Sequence, residues 1–382
     1  MPSRPRSLTV CFVTGTRAEF GLMKPVLQAI QRRRGLRLRI VATGMHLDRR
    51  HGYTFQDIGN EGFVVDATVP WSRTGDVAKA AGLAIAGLAA AYAKLKPDVV
   101  LVAGDRVEPF AGAVAAHLSH RLVAHVHGGD RAAGQVDDSL RHAITKLSHV
   151  HLAATAASAR RILRLGEDRA WVFNVGSPGN DGIVEQAAAT AEVARRYPGL
   201  KPGRYALLLL HPALPDDEVE RRRAELVLSA CRGTGFERIV VVYPNNDPGA
   251  RGIMAAWEQH RRDADLVIEK SLPRGVFLGL MRDAAVLVGN SSSGIIEAAS
   301  FGTPVVDVGP RQLGRECSRN VVHCPYDSAG IAGVLGRIWS SGRCRRSRCR
   351  NVYGQGGAGV RMADILASLA GRRPTWLKLI RY

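Results

Sequence analysis

The stretch VLVGNSSSGIIEAASFGTPVVDVGPRQ, Val286 to Gln312, constrains the fold more than any other in this chain. It is preceded and opened by a short β-branched apolar run, Ala284 to Val288, of the kind that makes a buried strand. Gly289, Asn290, the serines Ser291, Ser292 and Ser293, and Gly294 follow. Ile295, Ile296, Ala298, Ala299 and Phe301 then recur at helical spacing until Gly302 and Pro304 stop them, and a second strand starts at Pro304. Strand, small polar turn, helix and strand imply a parallel pairing. A helix entrance lined with hydroxyls and glycine favours an anion, because free N–H groups and the positive dipole end meet there. Glu297, one turn into the helix, suits ribose hydroxyls, and Arg311, after the second strand, suits a second phosphate. The same serines would also serve as an ordinary helix cap.

The pattern recurs along the chain. Strands are expected at Leu8 to Val13, Leu36 to Ala42, Phe63 to Val69 and Pro97 to Asp105, and in RLVAHVHGGD, VHLAAT and AWVFNV. Their carboxyl ends carry the polar residues. Arg17 and Glu19 follow the first strand, His46 the second, and Asp105 with Arg106 the fourth. His125, His127 and Asp130 follow the fifth, and the two-residue alternation of a strand puts both histidines on one face. A helical segment then carries Asp137, Asp138, Arg141, His142 and Lys146, of which Arg141 and Lys146 also fit a solvent-facing role. After a Pro- and Gly-marked break, a second series has His211 after its first strand and Asn245 and Asn246 after its next.

This spacing predicts an α/β protein of two doubly wound, Rossmann-like domains with a ligand cleft between them. The expected boundaries are residues 1–180, a linker over 181–204, a nucleotide-binding domain over 205–370 with a closing helix, and a basic tail over 371–382.

Composition narrows the function. The formal net charge is +19, but the arginines are scattered and no aromatic-interleaved basic repeat occurs, so no nucleic acid partner is expected. Such a field steers an anionic small molecule instead. The 6 cysteines form no CxxC pair and complete no zinc site, which fits free thiols, a cytoplasmic location and no bound metal. No apolar stretch is expected to span a membrane; Ala80 to Ala93, flanked by Lys79 and Lys94, reads as a helix of the domain.

The motifs TGTRAEFGLMKP, TGMHLD, VAGDR, HVHGGD, DDSLRHAITKLSH, NVGSPGND, HP, YPNNDPG, GNSSSGIIEAASFGTPVVDVGPRQ and VYGQGGAG occur in this order. Together they resemble the hydrolysing UDP-N-acetylglucosamine 2-epimerase family, over about Leu8 to Leu369. The resemblance implies a glycosyltransferase-B type fold, no cofactor, a nucleotide-sugar substrate and a homo-oligomer, dimer or tetramer. It implies phosphate and nucleotide contacts from Arg17, Arg106, Ser291, Ser292 and Arg311, with Ser293 and Gly294 in the same turn, and a ribose contact from Glu297. Asp105 and Asp137 match family acids, and His211 matches a histidine beside the diphosphate. His46 and Asn246 fall in family binding motifs. Some members read HIEGGE where this chain reads HVHGGD, so His127 replaces a proposed catalytic acid and Asp130 is shorter than its counterpart. The implied chemistry is elimination of UDP followed by hydration of 2-acetamidoglucal. Other members act on UDP-diacetamido-trideoxy or GDP-linked sugars, and a glycosyltransferase shares the fold.

Overall fold

The computed structural model describes residues 7–48, 53–71, 76–131, 137–244, 247–340, 343–344 and 346–381. They form two compact units.

The first unit is built on a seven-stranded parallel sheet: β1 (Leu8–Thr14), β2 (Leu36–Ala42), β3 (Ala67–Thr68), β4 (Val99–Ala103), β5 (Leu122–Val126), β6 (Val150–Ala153) and β7 (Val172–Asn174). The strand order is 3-2-1-4-5-6-7. Between the strands run α1 (Arg17–Arg32), α2 (Phe55–Asn60), α3 (Val77–Leu95), α4 (Val107–Leu118), α5 (Asp137–Leu147) and α6 (Ala156–Arg164). Alternation along β1 explains the layers. Val10 and Phe12 pack with Met23, Leu27 and Ile30 of α1, while Cys11 and Val13 pack with Leu88 and Tyr92 of α3 and Ala113 of α4.

The second unit contains α7 (Ile183–Gln186), α8 (Thr190–Arg196), α9 (Asp217–Arg232), α10 (Ala250–Gln259), α11 (Arg274–Asp283), α12 (Ser292–Ile296) and α13 (Ser328–Ile338). Its six parallel strands are β8 (Tyr205–Leu209), β9 (Arg238–Val242), β10 (Leu266–Glu269), β11 (Val286–Gly289), β12 (Val305–Val308) and β13 (Val321–Cys324), in the order 10-9-8-11-12-13. In both sheets the order reverses beside the first strand, at β1/β4 and at β8/β11. Such a switch point opens a crevice at the carboxyl ends of the strands, where ligands of open α/β sheets bind.

Several expectations need correction. The last helix, α14 (Ala358–Ser368), belongs to the first unit, not the second. Met362 and Leu366 join the core under α1, and the helices approach so closely that a Cβ on Gly359 would lie 2.7 Å from the Pro25 carbonyl oxygen. Asp181 fixes its start by accepting from the Ala358 and Gly359 N–H groups at 2.8 and 2.7 Å. Residues 182–204 are part of the second unit rather than a free linker, because Ala188, Val193, Tyr197 and Leu200 bury against β8 and α11. The tail is also anchored: Trp376 lies 4.8 Å from the His149 ring, and Lys378 pairs with Glu167 at 2.7 Å. Finally, α3, at 19 residues, is long and apolar enough to cross a membrane by length and composition. Ala84, Leu88 and Tyr92 sit in the core, so we read it as a helix of the domain.

Candidate active site

At the β1/β4 switch point, Thr16 caps α1 by accepting from the Glu19 N–H at 3.2 Å. The Glu19 carboxylate in turn accepts from the Gly15 N–H at 2.8 Å. Burial pushes the Glu19 carboxyl up to about 8, and the neighbouring Glu108 adds to the rise. A neutral acid at this helix entrance does not repel an incoming anion. Arg17 is exposed, 3.6 Å from Asp57, and Arg106 is half-exposed, 3.4 Å from Glu108. His46 is buried between the Thr14 and Thr54 hydroxyls, at 3.1 and 2.9 Å, and burial lowers its pKa. Both of its ring nitrogens are thus occupied by the protein.

The fifth strand ends at Val126, one residue before His127. His127 has a φ of +63°, a left-handed conformation that residues with side chains adopt uncommonly. The expected sharing of one strand face by His125 and His127 therefore does not occur, because the chain turns as it leaves the sheet. Gly129 makes the turn possible: a Cβ there would meet the Ser158 carbonyl oxygen at 2.4 Å. His125 remains in the sheet, with Nε2 2.8 Å from the Gly104 carbonyl oxygen, and burial lowers it to about 3. It is a neutral structural histidine at ordinary pH.

The turn ends in a connected network. His127 Nδ1 lies 2.8 Å from Asp130 Oδ2, and its Nε2 lies 3.1 Å from Ser177 Oγ. The Ser158 hydroxyl donates to Asp130 Oδ1 at 2.7 Å. Arg141, 2 % exposed, donates to the Asp130 carbonyl oxygen at 2.8 Å and pairs with Asp105 and Asp138. Of the roles open to Arg141 in the sequence, the solvent-facing one is excluded: burial and three anionic or carbonyl partners make it the hub of this network. Asp137 opens α5, and its side chain lies outside the described residues.

In the second unit, Asn290 ties the β8/β11 switch point together. Its Oδ1 accepts from the His211 N–H at 2.7 Å and its Nδ2 donates to the His211 carbonyl oxygen at 2.8 Å. The backbones come this close because Gly289 has no side chain: a Cβ would lie 2.0 Å from the Leu209 carbonyl oxygen. Arg311 and Gln312 both donate to the Asn290 carbonyl oxygen, at 3.1 and 2.9 Å. The Nε atom of Arg311 is buried without a hydrogen-bond partner, and burial lowers the pKa of its guanidinium. Ser291 Oγ lies 2.9 Å from Ser293 Oγ and caps α12, beside Ser292 and Gly294. The helix expected from Ser291 to Phe301 breaks after Ile296 into a 3-10 turn over Ala298–Phe301. Its dipole is accordingly short, and an anion at this turn would be held more by Arg311 than by the helix. Glu297, at the break, pairs with Arg274 at 2.7 Å and keeps Oε2 buried without a partner. Asn246 lies outside the described residues.

A family model described as UDP-N-acetylglucosamine 2-epimerase matches residues 28–367. The chain belongs to this family. It is 36% identical, over 94% of its length and 96% of the relative's, to the UDP-N,N'-diacetylbacillosamine 2-epimerase (hydrolyzing) of Legionella pneumophila. It is 33% identical to the UDP-N-acetylglucosamine 2-epimerase of Neisseria meningitidis serogroup B, covering 87% of each chain. A crystal structure of the Neisseria meningitidis UDP-GlcNAc 2-epimerase bound to UDP-GlcNAc superposes with a TM-score of 0.81 at 18% identity, covering 94% of this chain and 99% of that one. The epimerase fold, two doubly wound domains of glycosyltransferase-B type, is thus the one expected.

Within this epimerase-family chain, the first unit gathers Asp105, His127 and Asp130, and the second gathers His211, Ser291, Ser293, Gly294 and Arg311 around Asn290. Sequence reading missed Ser158, Ser177 and Asn290 as functional groups. Asn290 had a signal, its place directly after a glycine-ended strand. Ser177 lay in the NVGSPGND motif, but its contact with His127 spans 50 residues and had no local signal.

Proposed function

We propose that this chain is a hydrolysing nucleotide-sugar 2-epimerase that converts UDP-N-acetylglucosamine to N-acetylmannosamine and UDP. The observation that carries the reading is the buried network joining Asp105, Arg141, Asp130 and His127, an acid–base array at the carboxyl edge of a parallel sheet. In the elimination half, the C2 proton passes to a base of this array while the C1–O bond breaks and UDP leaves with the electron pair. In the hydration half, water adds its oxygen to C1 and a proton is delivered to C2 on the opposite face. A sugar C–H is a weak acid, so charge on the departing diphosphate must be stabilised as it develops. Arg17, Arg106 and Arg311 supply cations for that, with Ser291, Ser292, Ser293 and Gly294 as neutral donors. His211 approaches the diphosphate, and Glu297 holds the ribose. Asp105, His127, Asp130 and Asp137 share the proton chemistry, and Asn246 completes the binding set; His46, buried between two threonine hydroxyls, supports the site without touching substrate. No cofactor or metal enters the scheme.

A second reading keeps the chemistry and changes the sugar to UDP-2,4-diacetamido-2,4,6-trideoxyglucose. The relative at 36% identity, named for a diacetylbacillosamine substrate, favours it. Incubation with each UDP-sugar and identification of the products tests both. Free N-acetylmannosamine plus UDP supports the first, and release of a free diacetamido sugar alone supports the second. A UDP-linked epimer from either donor would overturn the hydrolysing assignment.

A further inference from the structure

Ser177 closes a constellation that the reaction scheme leaves open. We propose that Ser177 is a positioning residue that, together with Asp130, fixes the orientation and hydrogen bonding of the His127 ring. The proposal rests on the reading of His127 as a proton-transfer group. Asp130 determines the first half of the geometry. Its Oδ2 faces His127 Nδ1 at 2.8 Å, and its Oδ1 already accepts from Ser158 at 2.7 Å. An ionised carboxylate only accepts, so Nδ1 carries the hydrogen. In the neutral ring Nε2 then presents a lone pair.

The group facing that lone pair is the Ser177 hydroxyl, at 3.1 Å. Ser177 Oγ accepts from the Gly179 N–H at 3.3 Å, which directs its own hydrogen towards Nε2. The side chain has little freedom: Ser177 is 1 % exposed and caps the 3-10 turn Pro178–Asn180. His127 is also held from the backbone by its left-handed φ. An Asp–His–Ser line therefore keeps the imidazole in the tautomer whose Nε2 is basic. Because Ser177 is buried, it acts through His127 rather than as a nucleophile. The charged and titratable groups around the ring are Asp130 in the turn, Arg141 with Asp105 and Asp138 on the α5 side, Arg161 of α6 beside Gly129, and His125 of β5. Ser177 is the neutral donor among them, so its removal changes hydrogen bonding without changing charge.

The test uses the full chain and three proteins: wild type, Ser177→Ala and Ser177→Thr. Turnover of the accepted UDP-sugar is followed against pH, and the imidazole nitrogens are observed by 15N NMR. The hydroxyl stabilises the neutral ring, so its loss should move the acid limb of the rate profile to higher pH. Ser177→Ala should lower kcat about tenfold with KM within about twofold, the effect of one hydrogen bond. Its 15N spectrum should keep the Nδ1–H that Asp130 holds and shift the Nε2 resonance as that hydrogen bond is lost, and Ser177→Thr should restore both readouts. An unchanged Nε2 resonance and an unchanged acid limb in Ser177→Ala would overturn the proposal. A shifted Nε2 resonance with wild-type kcat would leave the geometry standing and sink the catalytic reading of His127.

Discussion

The two units hold similar sheets but finish the turns after β5 and β11 differently. In the first, the turn after β5 is hydrogen-bonded to completion: both ring nitrogens of His127 and both carboxylate oxygens of Asp130 have partners. In the second, the strand ends leave Arg311 Nε, Gln312 Oε1 and Glu297 Oε2 buried without partners. Buried donors and acceptors left unmatched are costly and are ordinarily satisfied. A region that tolerates them is suited to a ligand that completes them, whereas a region closed on itself is suited to holding a few groups in one protonation pattern. The first unit also leaves Glu19 Oε1 and Arg141 Nε unpartnered, so the contrast is confined to the two turns, and it motivates the proposal of proton chemistry after β5 and nucleotide binding after β11.

The largest expected effect sharpens that division. His127→Gln should lose about 10²–10⁴-fold in turnover, the range of a general acid–base group, and should bind UDP as wild type does. His127→Glu, which restores the acid of other family members, should retain more. Steady-state rates with calorimetric UDP titrations check both, and loss of UDP affinity in His127→Gln would break the comparison. Next, Arg141→Met should destabilise the first unit by about 3–5 kcal/mol, because Asp105 and Asp138 lose their buried counter-charge. Denaturant unfolding measures this, and a variant as stable as wild type would place Arg141 outside the network.

The third effect depends on pH. Glu19 is raised from 4.5 to about 8 by burial, so the folded chain holds its proton where the unfolded chain has lost it. Its contribution to stability is complete below the unfolded value and is lost as pH rises through about 8. Glu19→Gln should therefore gain stability relative to wild type between pH 5 and 8, by a few kcal/mol on the order of magnitude of the linkage. Parallel melting curves without that divergence would mean an ionised Glu19 at the entrance of α1. The smallest effect is on binding. Arg311→Ala should weaken UDP affinity by about 1.5–3 kcal/mol, with Ser292→Ala weaker in effect, and neither should change folding. Calorimetry showing unchanged affinity in both would remove the second unit's phosphate assignment.

Much of this molecule is legible in its sequence because the information is local. The apolar runs ending in Gly15, Asp105, His211 and Asn290 announce parallel strands and the residues at their carboxyl ends. Departures arise where distant segments decide the outcome. The helix after Ser291 is broken at Glu297, whose carboxylate pairs with Arg274 from another helix. His127 leaves its strand because Gly129 packs on Ser158 of α6. Arg141 is amphipathic in sequence yet buried, since Asp105 and the Asp130 carbonyl draw it inward. The last helix joins the first unit through Gly359 and Asp181, residues far apart in the chain. Strand β13 lacked a clear apolar alternation and forms because β12 offers it an edge.

The proposed reaction exchanges the proton at C2 of the sugar and releases the sugar from UDP by elimination and hydration. Turnover of the accepted UDP-sugar in D2O, followed by NMR and mass analysis of the free sugar, tests it most directly. The expected product is an epimerised free sugar carrying one deuterium at C2. A free sugar that keeps both its protium and its original configuration at C2 would show simple hydrolysis and contradict the account.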